Sequence, residues 1–246
     1  MKIYLITTGS IILLGIIGFF WMQFYETKND CIIKFQFNFY YMNKNIVSCK
    51  PNNILNSFFF FYKPLILLYP ENTIKIDVNL GFSGWYSATF PEYDWTRRGW
   101  SVTATPESIV TDSRTGMNTY GLFWEWDMNE QAQFDLSKGF VVEWKNVREF
   151  LYEKLQILWL STKEYSDFIM YWYPKLQGYP YIQITFAGRD YTDIAPLTIT
   201  PKPESILRVF MVAKPLQKYQ QIPEQKLEKF ERKGFTVIEW WGTILE

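Results

Sequence analysis

The chain has 246 residues, with 25 basic and 25 acidic side chains, so it carries no bulk field for nucleic acid or anionic lipid. It contains no histidine, which excludes Ser-His-Asp and Cys-His nucleophilic machinery and every zinc site that needs imidazole. Its two cysteines, Cys31 and Cys49, are too few for a metal site; they suit one disulfide if the chain lies outside the cytoplasm.

Ile3 to Met22 carries no charged residue. As a helix it would be about 30 Å long, the thickness of a bilayer's hydrocarbon core. The hydroxyls of Thr7, Thr8 and Ser10 can return to the helix's own carbonyls. Phe19-Phe20-Trp21-Met22 stands where a cleaved signal peptide would need small residues. Residues 1–25 therefore read as an uncleaved transmembrane signal anchor. Lys2 precedes the span, and Glu26, Lys28 and Asp30 follow it. The positive-inside rule then puts the N-terminus in the cytoplasm and the rest of this single-pass protein outside.

Residues 26–61 read as a low-complexity linker or insertion. Of the thirty residues 32–61, 22 are Phe, Ile, Asn, Lys or Tyr, the residue types with the most A/T-rich codons. From Tyr62 to Glu246 the pattern is that of one folded domain, with 20 basic and 23 acidic side chains.

In chain order, Tyr62–Pro70 is an apolar run bounded by prolines and predicts a buried strand. Thr73–Leu80 alternates Ile74, Ile76, Val78 and Leu80 against polar residues, a half-buried strand. Trp85–Phe90 and Trp100–Thr105 follow, separated by a polar loop holding Arg97, Arg98 and Gly99. Ser108–Asp112 and Asn118–Trp126 flank Asp-Ser-Arg-Thr-Gly, whose composition suits a hairpin connection. Then the period changes. Asn146 with Glu149 suggests a capped helix start, and Val147, Leu151, Leu155 and Leu158 form one stripe. Ser161 and Glu164 repeat the capping logic ahead of Tyr165, Phe168, Ile169 and Trp172, and Pro174 and Gly178 end that helix. The two helices should pack on one face of the sheet. Strands return at Tyr181–Phe186, Leu197–Thr200 and Ile206–Ala213, the last being the most apolar and the expected centre of the sheet. Pro223 suits the start of a short helix to Phe230, and Gly234 turns the chain into a terminal strand at Phe235–Trp241. The class is α+β: an antiparallel β-rich domain with an inserted helix pair.

These stretches carry a resemblance. YKPLILLYP, GLFWEW, DLSKGFVVE, YWYPKLQGYPYIQITF, LTITPKPESILRVFMVAKPL and FERKGFTVIEWWGT resemble an uncharacterised family of bacterial and protist proteins. Its members often show KPVIYLYP near the start and EWGG at the end. Trp241 stands where that pattern leads one to expect Gly, and residues 32–61 lie outside the likeness. The family has no assigned activity, so the resemblance implies a domain boundary and no chemistry.

No phosphate-cradling GxGxxG or GxxxxGK(S/T) loop and no GxSxG or SxxK nucleophile context occurs. Asp127, Glu130 and Asp135 lack the Gly-bearing calcium-loop pattern, so neither metal nor cofactor is expected. Three functions remain. Exposed aromatics on a β scaffold can bind sugar rings or protein, and Trp85, Trp95 and Trp100 sit beside a charged loop. A carboxylate hydrolase of glycoside-hydrolase type needs no histidine. Glu125 lies between Trp124 and Trp126, and Glu239 precedes Trp240 and Trp241, aromatic settings of the kind that raise a carboxyl's pKa. Last is a structural module in a membrane assembly. A binding or scaffolding module outside the cytoplasm fits best, with the hydrolase as the alternative; tryptophans on strands usually lie in the core, and carboxylates between them usually face water. Arg208 sits in an otherwise apolar strand and cannot shed its charge, so it should pair with Glu125 or Glu239.

Overall fold

The computed structural model describes residues 64–81, 85–127 and 133–245, together with the backbone of 60–63; for Trp85, Trp126, Asp127 and Arg189 it describes the backbone alone. The expected anchor at Ile3–Met22, the linker up to its last two residues and the Cys31–Cys49 pair lie outside the described residues. Among the described residues no helix is long and apolar enough to cross a membrane.

A seven-stranded mixed sheet is the middle layer of the domain. Its strands are β1 (Phe60–Tyr69), β3 (Trp85–Phe90), β7 (Leu122–Asp127), β8 (Phe140–Glu143), β9 (Tyr181–Ala187), β11 (Ser205–Leu216) and β12 (Thr236–Ile244). They lie in the order β8-β9-β11-β12-β1-β7-β3. A second sheet has the order β6-β5-β4-β2-β10, built from β2 (Ile74–Leu80), β4 (Gly99–Ala104), β5 (Val110–Asp112), β6 (Asn118–Thr119) and β10 (Leu197–Thr200). Helices α1 (Val147–Ile157) and α2 (Thr162–Lys175) cover the other face of the large sheet. The expectation of an α+β class with mostly antiparallel sheets and an inserted helix pair holds.

Two cores follow from this layering. Ile66, Leu68, Trp124, Phe210, Val212, Val237 and Trp241 pack against Ile76, Val78, Trp100 and Val102 of the second sheet. Leu65, Leu67, Val209, Met211, Ile238 and Trp240 pack against Leu151, Leu155, Phe168 and Trp172 of the helices. Successive residues of a strand point to opposite faces, so a strand covered on both sides must be apolar throughout. That is why β1, β11 and β12 are apolar on both faces over most of their length, with Arg208 and Glu239 as paired charged exceptions.

The structure departs from the sequence reading in four places. The centre of the sheet is β12 and not Ile206–Ala213, which lies one strand away. Those two strands pair in parallel, a geometry that needs a long crossover and that local periodicity cannot reveal. The crossover contains Pro223–Phe230, expected to be helical but found without a helix, its one backbone bridge being Glu224 to Gly139. Gln225 donates its side-chain amide to the Phe186 carbonyl at 2.7 Å and accepts from the Phe186 N–H at 2.9 Å. It thereby completes the edge of β9 beyond the end of β8, and Gly139 donates to the Pro223 carbonyl beside it. Leu227 and Phe230 pack on the helix-side core from this non-helical segment, so their three-residue spacing does not report a helix. Finally, α1 is entered through a 3-10 turn at Trp144–Asn146, and the Asn146 side chain caps nothing. The Ser161–Glu164 capping box is present as expected.

Candidate functional site

Arg208 and Glu239 are register partners on the parallel strands β11 and β12, one residue before Val209 and Trp240. Each therefore points into the layer between the two sheets. Arg208 Nε donates to Glu239 Oε2 at 2.5 Å; the Glu239 side chain is fully buried, and that of Arg208 is 8% exposed. The remaining guanidinium donors reach the Ala195 carbonyl and the Tyr191 hydroxyl, both at 2.7 Å. The guanidinium also lies over the Tyr191 ring, 4.4 Å from its centroid. Tyr191 comes from α3 (Arg189–Ile194), a one-turn-and-a-half helix that the sequence reading missed. Its ring stacks on Phe210 at 4.8 Å and meets Trp241 edge-on at 4.7 Å. Burial, with Glu239 beside it, pushes the Tyr191 phenol well above its usual value. Burial pulls Arg208 down, but Glu239 and Tyr191 more than offset it, so the guanidinium stays charged.

Glu125 is not part of this cluster. Leu122 and Phe123 of β7 pair with Ile66 and Leu65 of β1, and Trp124 packs between the sheets. By alternation Glu125 lies on the helix side. The large sheet thus stands between Glu125 and Glu239.

The tryptophans divide as well. Trp100 faces inward from β4, is 2% exposed, and donates its indole N–H to the Pro91 carbonyl at 2.8 Å. Trp95 lies in the loop between β3 and β4 and is 54% exposed. For Trp85 only the backbone, at the start of edge strand β3, is described. Trp95 is seated on a ladder of rings: Tyr86 at 5.2 Å, Tyr93 at 5.1 Å, and Trp100 beneath Tyr93 at 4.9 Å. Burial raises the phenols of Tyr86 and Tyr93 above their usual value, so both rings are neutral.

The loop that presents Trp95 is tied at every turn. Asp94 Oδ1 accepts from the Thr96 and Arg97 amides at 2.9 and 3.1 Å. Asp94 and Gly99 exchange backbone bonds at 3.1 Å, and the Asn79 side-chain amide donates to the carbonyls of Arg97 and Arg98. A Cβ on Gly99 would come within 2.1 Å of the Val78 carbonyl oxygen, so only glycine fits this approach. The indole is thus held out by a rigid frame.

A cleft of about 310 Å³ has walls that include Lys75, Arg97 and Arg114 and the carboxylates of Glu92, Asp94 and Asp112. Arg114 reaches Glu92 at 3.1 Å and Arg97 reaches Asp94 at 3.6 Å. A second, apolar groove of about 500 Å³ runs between α1 and α2 past Tyr152, Tyr165, Ile169 and Met170. Among the described residues no group of three or more His, Cys, Asp or Glu side chains could hold a metal ion. No family model matches this chain, and neither a curated protein nor a solved structure does.

Proposed function

We propose that residues 62–246 form a binding domain for saccharides, held at a membrane by Ile3–Met22 and facing away from the cytoplasm. The observation that carries the reading is Trp95. A large ring rests with one part on Tyr86 and Tyr93 and is left 54% exposed on a loop fixed by its own hydrogen bonds, so much of its apolar surface stays in water. Such a ring presents a flat, pre-organised face of the kind on which the apolar face of a pyranose stacks, and pre-organisation removes the ordering cost of binding. Charged side chains alongside supply hydrogen bonds for the sugar's rim. The uninterrupted apolar run at Ile3–Met22 supports the anchored part of the reading. Binding is favoured over hydrolysis because a glycosidase needs two carboxyl groups flanking one bond, whereas Glu125 and Glu239 lie on opposite faces of the sheet.

The test uses the full-length chain in detergent, titrated with a panel of soluble oligosaccharides while tryptophan emission is followed. We expect saturable quenching that Trp95→Ala abolishes. Stability should fall by about 1–3 kcal/mol, since Trp95→Ala gives up the ring contacts with Tyr86 and Tyr93, and urea unfolding of the variant confirms that it is still folded when binding is measured. Saturable binding untouched by Trp95→Ala, or no binding across the panel, overturns the reading. Extraction with carbonate tests the anchor: the protein should stay with the membrane, and release into the supernatant would refute it.

A further inference from the structure

The end of the large sheet at which the chain enters carries a group of aromatic and basic side chains outside both cores. One rung crosses the sheet from Phe60, the first residue of β1, through Ile244, Ala213 and Ile184 to Phe140. Glu143, Tyr181 and Leu216 project past that rung, on the side away from Tyr69. Trp144 follows Glu143 and stacks on Tyr173 at 4.6 Å, which brings the last turn of α2 to the same end. The Trp144 N–H donates to the Pro180 carbonyl at 3.1 Å, beside Tyr179, and Tyr181 meets Tyr219 at 6.0 Å. All five rings keep exposed surface, 59% in Tyr219. The phenols of Tyr173, Tyr179, Tyr181 and Tyr219 make no hydrogen bond among the described residues, whereas the buried Tyr191 hydroxyl does. Lys145, Arg148, Lys175 and Lys218 stand beside these rings, all exposed. Glu143 and Glu149 pair with Lys145 and Arg148 from exposed side chains, where such contacts are readily exchanged. Apart from these six, residues 62–246 have sixteen basic and twenty-one acidic side chains, so the positive excess is confined to this end.

We propose that this end of the domain rests in the phospholipid headgroup layer of the membrane that holds Ile3–Met22. The inference rests on the anchored part of the reading above and adds the surface that the domain turns to the bilayer. The chain enters β1 at this same end, so the shortest tether presents it first. Composition separates a membrane from a protein partner. Both use Trp and Tyr, but protein interfaces are depleted in lysine, whereas the headgroup layer is where Trp and Tyr sit beside Lys and Arg. An amphipathic ring there keeps its hydroxyl in the wet layer, which suits phenols that bond nothing in the protein. Each ammonium reaches out on a flexible stem and donates to a phosphate oxygen.

The experiment acylates the lysines of the full-length protein in dodecyl maltoside and in vesicles of equimolar phosphatidylcholine and phosphatidylglycerol, and reads each site by mass spectrometry. Lys145, Lys175 and Lys218 should react about tenfold more slowly in vesicles than in maltoside, since each lysine near an anionic surface adds to the attraction. Lys202 and Lys233, exposed near the starts of β11 and β12 at the opposite end, should react at equal rates in both. Lys218→Glu combined with Tyr219→Ser, at two exposed positions outside the cores, should return Lys145 and Lys175 to the maltoside rate. Equal rates in vesicles and maltoside, or slowing that survives the double variant, overturns the inference. Slowing in maltoside that grows with protein concentration overturns it as well, by giving the patch to a second copy. Release of the protein by carbonate refutes the anchor and this contact together, whereas equal rates in protein that carbonate leaves in the vesicles refute the contact alone.

Discussion

Removing the Arg208 side chain should be among the most damaging single changes the domain can suffer. The guanidinium is the counter-charge of a fully buried carboxylate and also binds the Ala195 carbonyl and the Tyr191 hydroxyl. Arg208→Met keeps the volume but leaves Glu239 uncompensated, a loss of about 3–5 kcal/mol where one partner of a buried pair is removed. Domains of this size have about 5–15 kcal/mol in total, so the variant should sit close to unfolding. Glu239→Gln should be costly for the mirror reason. The double variant, with neither charge left, should lose less than the sum by about 2 kcal/mol. Glu125→Gln is the control: it lies on the other face and three strand spacings from β11, about 14 Å, so its effect should add to that of Arg208→Met. Urea unfolding of the full-length protein in detergent, monitored by tryptophan emission, measures all four corners of the cycle. Additivity of Arg208→Met with Glu239→Gln would refute the account of the pair as a coupled unit.

Alkaline unfolding should reveal Tyr191. Its folded pKa lies above the usual 10.0, so its contribution is fully present below pH 10 and is lost as pH rises beyond it. The stability slope above pH 10 should be shallower in Tyr191→Phe by up to about 1.4 kcal/mol per pH unit; an unchanged slope refutes the assignment. Ser161→Ala breaks the capping box at α2 and should cost about 1 kcal/mol, read from the urea midpoint at constant slope, and no shift would mean that Glu164 holds the turn alone. Gly99→Ala should destabilise by about 1–3 kcal/mol and also weaken oligosaccharide binding, because relieving a 2.1 Å approach must move the Trp95 loop.

Much of the fold was legible because burial leaves a periodic mark. A strand with one wet face alternates, as in Ile74–Leu80, and a strand covered twice does not, as in Thr236–Ile244. The helix pair announced itself by a stripe and a capping box. What stayed hidden was set by distant partners. Nothing local says that β11 and β12 run parallel, or that a glutamine side chain from Pro223–Phe230 will finish the edge of β9 in place of a helix there.

The site divides along the same line. Arg208 and Glu239 could be paired from sequence because a permanent charge on a doubly covered strand demands a counter-charge, and few carboxylates occupied comparable strands. Tyr191 could not, since α3 is six residues long and shows no apolar period of its own. Trp95 and Trp100 are five residues apart and identical in type, yet one is 54% and the other 2% exposed. The difference comes from Gly99. Its missing Cβ lets the chain drop against Val78 and enter β4, which sends Trp100 inward and leaves Trp95 on the turn above. A sequence places an aromatic near a surface; the backbone approach allowed by one glycine decides which ring a ligand meets.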